Sequence, residues 1–312
     1  MQLRQTQDLT KKNKYSMKDG EGRQMAEQIK AVDGLITIPR AVRRGRTGLT
    51  AEQAIDVERA AGRGGLLELF PGAAVRQHDM TQEELVAEMD KAGVEKGLLS
   101  IQAEGDKEWI AEALKKYPGK FVVGSPINPI EQGIMPEIRR VKSLMNEVSL
   151  QVIRVGGWRL GVPCTDNRLF PFYALAIENG LKVHINVGYP GPAGVARNQD
   201  PLFVDELCYL FPELMVIQTH GAVDPASTEV AVHNVIKYPN CYAMTNAYRP
   251  RYFPPQFIQH LNTRAQDKVI WATEYPLLTF QRSLDDVSQL ALRDHVRPKY
   301  LRENALRIFR FE

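Results

Sequence analysis

The sequence predicts a single (β/α)8 barrel, in which eight parallel strands alternate with helices. Three observations lead there. Eight short, β-branched runs recur along the chain, and stretches of helical periodicity fill most of the gaps between them. The GxGxxG turn that a doubly wound open sheet would carry after its first strand is absent. A length of 312 residues also admits two domains of about 150 residues each, but a row of eight strands is the count of one barrel.

In chain order the runs are Val32–Ile38, Gly93–Ile101, Lys120–Ile127, Leu150–Gly156, Lys182–Val187, Met215–His220, Cys241–Asn246 and Val269–Glu274. Each is short, apolar and bounded by Gly, Pro or Asn, as strands buried on both faces of a parallel sheet are. Between the first two lies TQEELVAEMDKAG. Thr81 and Glu84 have capping-box spacing, Leu85, Met89 and Ala92 recur at helical intervals, and Gly93 ends the run. KEWIAEALKKYPGK, LFPFYALAIENG and PLFVDELCYLFPE repeat the pattern. The connection from Pro39 to Met80 is long. It holds a helical stretch, TAEQAIDVERAAG, and four arginines, Arg40, Arg43, Arg44 and Arg46, which read either as a solvated loop or as a lid meeting an anion. Residues 1–25 are polar and aperiodic and read as an arm, leaving 26–312 as the barrel domain.

Composition narrows the function. Forty Lys and Arg against 37 Asp and Glu leave a net charge of +3, with no basic stripe interleaved with aromatics, which argues against a nucleic-acid partner. Cys164, Cys208 and Cys241 lie far apart, without disulfide or zinc-site spacing. No apolar run reaches the roughly 18 residues of a membrane span, and the N-terminus has no apolar core of signal-peptide type, so the expected compartment is the cytoplasm. No phosphate loop and no GxSxG nucleophile elbow occur.

Barrel enzymes place their chemistry at the C-terminal ends of strands. The polar residues there are Arg154 on the fourth, His184 and Asn186 on the fifth, Gln218 and His220 on the sixth, Thr245 and Asn246 on the seventh with Tyr248 beyond, and Glu274 on the eighth. Alternation puts His184 and Asn186 on one face, and likewise Gln218 and His220. A histidine late in an apolar strand costs free energy unless its nitrogens find partners, and two on neighbouring strands near a carboxylate point to a site. His78, in the long first loop, is a weaker candidate, and a plain salt bridge between Glu274 and Arg154 is the bland reading of that pair.

The segments EMDKAGVEKGLLS, KKYPGKFVVGSPINP, NGLKVHINVG, FPELMVIQTHGA, YPNCYAMTNAY, DKVIWATEYP and RENALRIF together resemble the amidohydrolase superfamily, in the branch of aminocarboxymuconate-semialdehyde decarboxylase. The resemblance implies a barrel holding a divalent metal, usually zinc. It matches His184 to the fifth-strand metal ligand, His220 to the sixth-strand histidine and Glu274 to an eighth-strand aspartate. The first strand departs from it: Leu35 and Thr37 stand where the family has its His-x-His pair, and leucine cannot bind zinc while a neutral hydroxyl binds it poorly.

The expectation is therefore a hydrolase without the family metal, acting on a small carboxylate- or carbonyl-bearing molecule. His184, His220 and Glu274 are the catalytic candidates, and Arg154, Asn186, Tyr248 and Arg40 the substrate-binding ones. No cofactor is expected, with a divalent metal such as zinc as the alternative, the partner is a small anionic molecule, and a homo-oligomer is open. The alternatives are a decarboxylase or other lyase acting on an aromatic-type acid, and a ligand-binding barrel without catalysis.

Overall fold

Runs too short and too apolar to stand alone must pair with one another on both edges, and a closed ring of eight achieves this. The structure, a computed structural model, describes residues 29–39, 79–103, 105–190, 195–220 and 225–311. All eight expected strands are present: β1 Ala31–Thr37, β2 Val94–Ser100, β3 Phe121–Pro126, β4 Leu150–Val155, β5 Lys182–Asn186, β6 Val216–Thr219, β7 Cys241–Met244 and β8 Val269–Ile270. They pair in parallel and in chain order. β1 and the segment after β8 close the ring through single hydrogen bonds: Gly34 N donates to Trp271 O at 3.0 Å, Glu274 N to Leu35 O at 2.9 Å and Thr37 N to Tyr275 O at 2.9 Å. The (β/α)8 barrel is a single domain.

The principal helices are α1 Gln82–Ala92, α2 Asp106–Lys116, α3 Ile134–Val148, α4 Phe170–Asn179, α5 Leu202–Leu210, α6 Pro225–Lys237, α7 Pro255–Leu261, α8 Phe280–Ser288 and α9 Asn304–Ile308. α1 starts on the expected capping box: Glu84 N donates to Thr81 Oγ1 at 3.2 Å and Thr81 N to Glu84 Oε2 at 2.9 Å. It stops at Gly93, whose φ of 78° suits a residue without Cβ. The arm, Arg40 and its neighbouring arginines, His78 and the TAEQAIDVERAAG stretch lie outside the described residues.

Two apolar layers result. The larger lies between the barrel and its helices. The inner one is built from alternate strand residues, among them Leu35, Leu98, Val152, Ile217 and Met244, and it is completed by Ala305, Ile308 and Phe309 at the C-terminus of the chain. This plug sits at the N-terminal ends of the strands, where Arg310 N donates to Gln151 Oε1 at 3.0 Å. The opposite end is left for polar side chains. No helix among the described residues is long and apolar enough to cross a membrane.

Every strand ends before its sequence run, and after β6, β7 and β8 the backbone turns sharply. The chain departs from β geometry at His220 (φ 69°), Ala247 (φ 69°) and Glu274 (φ 54°). These left-handed conformations are uncommon for residues with a Cβ and cost on the order of 1–3 kcal/mol each, and they cluster where a side chain must be re-aimed. The expectation that Gln218 and His220 share a face is corrected here. Gln218 points outward, donating to Ala231 O at 2.8 Å and accepting from Asn234, while the turn at His220 sends the imidazole to the mouth.

Candidate active site at the barrel mouth

On β4, Val152 belongs to the inner apolar layer, so Arg154 two residues on also faces inward, one step nearer the mouth. It pairs in register with His184 of β5. Arg154 is 7% exposed. Its Nη1 donates to Ser100 Oγ at 2.8 Å and its Nη2 lies 3.9 Å from Glu274 Oε1. Its Nε has no partner among the described residues, and neither ring nitrogen of the fully buried His184 has one. Below His184 the edge of the Phe309 ring closes the apolar plug, with centroids 6.2 Å apart. Burial holds the His184 imidazole well below its ordinary titration range, and the positive neighbour Arg154 and then His220 push it the same way, so it is neutral.

His220 and Glu274 form the second half of the site. His220 Nε2 lies 3.7 Å from Glu274 Oε2. Asn246 ties them together: its Nδ2 donates to Glu274 Oε2 at 2.7 Å and lies 3.0 Å from His220 Nε2, and its Oδ1 accepts from the His220 backbone N–H at 3.3 Å. Burial lowers the His220 pKa, Glu274 opposes that shift, and Arg154 adds to it. Tyr248 stands beside His220, ring centroids 6.5 Å apart. Asn186 accepts from Thr219 Oγ1 at 2.9 Å on the neighbouring strand. The structure thus gathers Arg154, His184, His220 and Glu274, with Tyr248 and Asn186 at the rim. The salt bridge expected as the bland reading of Glu274 is present, but long.

Two contributors went unassigned in the sequence. Asn246 was visible only as a polar end to an apolar run. Asp33 is fully buried on β1 and accepts from Leu35 N and Thr273 N, each at 3.0 Å, and from the Thr273 hydroxyl. It thereby fixes the segment that presents Glu274. Burial is the main cause that raises the Asp33 pKa to about 7, against the pull of those hydrogen bonds.

A family-type metal does not fit these residues. Leu35 is buried in the inner apolar layer, and the Thr37 hydroxyl donates to Tyr275 O at 2.7 Å. Glu274 is engaged by Asn246 and faces the Arg154 cation. Among the described residues no group of three His, Cys, Asp or Glu converges as metal ligands do.

The comparisons with known proteins agree with this fold. The amidohydrolase family model matches residues 95–311, well over half of the chain, beginning within β2. No curated protein sequence matches. An uncharacterised TIM-barrel protein from Bordetella bronchiseptica superposes with a TM-score of 0.68 at 22% identity, over 90% of this chain and 98% of the other. The 5-carboxyvanillate decarboxylase from Novosphingobium aromaticivorans, complexed with manganese and a nitrobenzoic acid, gives a TM-score of 0.62 at 14% identity, over 90% of this chain and 96% of the other. The probable 2-pyrone-4,6-dicarboxylic acid hydrolase from Acinetobacter baumannii, with citric acid bound, gives 0.57 at 11% identity, over 89% and 98%. At such identities the likeness shows the fold, and with the family match it shows that this chain belongs to the amidohydrolase family.

Proposed function

We propose that the chain is a non-oxidative decarboxylase of a small aromatic-type carboxylic acid, working by acid–base chemistry at His220 and Glu274. This replaces the hydrolase as the first reading. Decarboxylases of aromatic acids recur among the similar structures, which supports the alternative better than the original expectation. The observation that carries the proposal is a buried arginine beside an acid–base couple at one end of the barrel, since decarboxylation needs a grip on a carboxylate and a proton for carbon.

The electron accounting is simple. The ring carbon bearing the carboxylate takes a proton from the His220 imidazolium, the bond to the carboxylate carbon breaks, its electron pair returns to the ring, and carbon dioxide leaves. Glu274 stabilises the imidazolium, and Asn246 fixes the geometry of the couple. In the free protein burial keeps His220 mainly neutral, and an arriving carboxylate supplies the negative charge that draws a proton onto it. The Novosphingobium structure is complexed with manganese. In this reading His220 and Glu274 carry the acid–base work of this chain.

One observation favours a second reading. A neutral His220 is a ready general base for water, which suits hydrolysis such as the Acinetobacter protein's name implies. Incubation with 2,6-dihydroxybenzoate, 5-carboxyvanillate and 2-pyrone-4,6-dicarboxylate separates the two. Carbon dioxide release with one proton consumed supports the lyase, and acid production without carbon dioxide overturns it. His220→Ala and Glu274→Gln are each expected to lower kcat by about 10²-fold or more, the usual worth of a positioned acid–base group. Full activity in both variants would remove the couple from the chemistry.

A further inference from the structure

A buried polar group without a partner loses its hydration and gains nothing for it, so native proteins keep very few. Here three such atoms fall on two side chains paired in register on β4 and β5: Arg154 Nε and both ring nitrogens of His184. They lie directly above the apolar plug, and the guanidinium stands 3.9 Å from Glu274. We infer that Arg154 Nε and His184 form a carboxylate-binding cradle at the floor of the mouth, and that the Arg154 cation does the electrostatic work of the divalent ion for which the described residues form no ligand group.

The chemistry of the cradle selects its ligand. A guanidinium with a free N–H edge and an imidazole N–H present donors to an oxyanion, and guanidinium matches the planar fork of a carboxylate. Phosphate fits less well, since Glu274 already stands 3.9 Å from the guanidinium and would oppose a second negative charge. A monocarboxylate held at the floor places the carbon that bears it toward His220 and Glu274, with the rest of the molecule running up past Asn186 and Tyr248. The cradle also explains why Leu35 and Thr37 are tolerated on β1: with the cation supplied from β4, that strand is relieved of ligand duty, so Leu35 packs in the inner layer and the Thr37 hydroxyl bonds Tyr275 O.

This inference rests on the mouth being the site for a carboxylic acid, and benzoate, as a probe without chemistry of its own, tests it separately from turnover. Chelator-treated protein is titrated with benzoate and with phenol by calorimetry, with and without added manganese or zinc. The side-chain Nε–H resonance of Arg154 is followed by NMR, assigned with Arg154→Lys. Benzoate is expected to bind chelated protein at one site, unchanged by metal, and to move the Arg154 Nε–H resonance. Arg154→Met and His184→Phe are expected to weaken benzoate binding about tenfold or more while leaving phenol binding within about twofold. Benzoate binding that appears only with added metal, an unmoved Nε–H resonance, or no benzoate binding at all would overturn the cradle. Benzoate held by Arg154 in a protein that decarboxylates no acid would leave the cradle standing and sink the decarboxylase. Metal-dependent decarboxylation indifferent to Arg154 would do the reverse.

Discussion

Asp33 shows how a residue of no apparent chemistry governs a site. Its pKa of about 7 means that the folded chain keeps the proton longer than the unfolded one. Below the ordinary carboxylate range both forms are protonated, and Asp33 carries no penalty. As pH rises from about 4 to about 7 the unfolded chain releases its proton first, and stability falls by an amount on the order of a few kcal/mol, levelling off above that. Asp33→Asn keeps the oxygen that accepts from Leu35 and Thr273 and removes the ionisation. The melting temperature of this variant is expected to fall less than that of wild type across the same window; equal slopes would contradict the account. Sequence alone pointed to His184, His220 and Glu274, because a histidine or carboxylate in an apolar run is costly and therefore informative. It did not single out Asp33 or Asn246, whose roles depend on partners brought from other strands.

Local features of the elements were legible and long-range ones were not. The capping box of α1 is written in four residues, and it formed as read. Thr81→Ala is expected to cost about 1 kcal/mol in urea denaturation, and a change well below that would mean that the cap is redundant. Alternation, by contrast, put His220 on the same face as Gln218, because the left-handed turn at His220 leaves no mark in composition. Gly157, just past β4, is similarly constrained from a distance. A Cβ there would lie 2.2 Å from the carbonyl oxygen of Asn198 and 3.0 Å from that of Val162, both backbone atoms. Gly157→Ala is therefore expected to displace the loop above Arg154, costing about 1–3 kcal/mol in stability and weakening benzoate binding. Wild-type melting and affinity in that variant would show that the loop has room to yield.

At the scale of the whole molecule, the barrel divides into an apolar end and a polar end. Phe309 and α9 fill the N-terminal end of the barrel, so the inner layer excludes water beneath His184. The low polarity below strengthens every charge interaction above it, which in the proposed reading lets Arg154 hold a carboxylate and Glu274 stabilise the His220 imidazolium. The eight-strand count was legible because each strand is an apolar run between turns. The seam between β1 and β8 was not, because it is made by single backbone hydrogen bonds that any sequence can supply. In the proposed reading ligand binding is coupled to proton uptake, since the charge of a carboxylate held on Arg154 favours the imidazolium form of His220. The direct measurement is the number of protons taken up when benzoate binds at slightly alkaline pH, read by calorimetry in buffers of different ionisation enthalpy. Uptake approaching one proton in wild type, falling to none in His220→Ala and declining in affinity as pH rises, is the predicted result; binding with no proton uptake in wild type would contradict it.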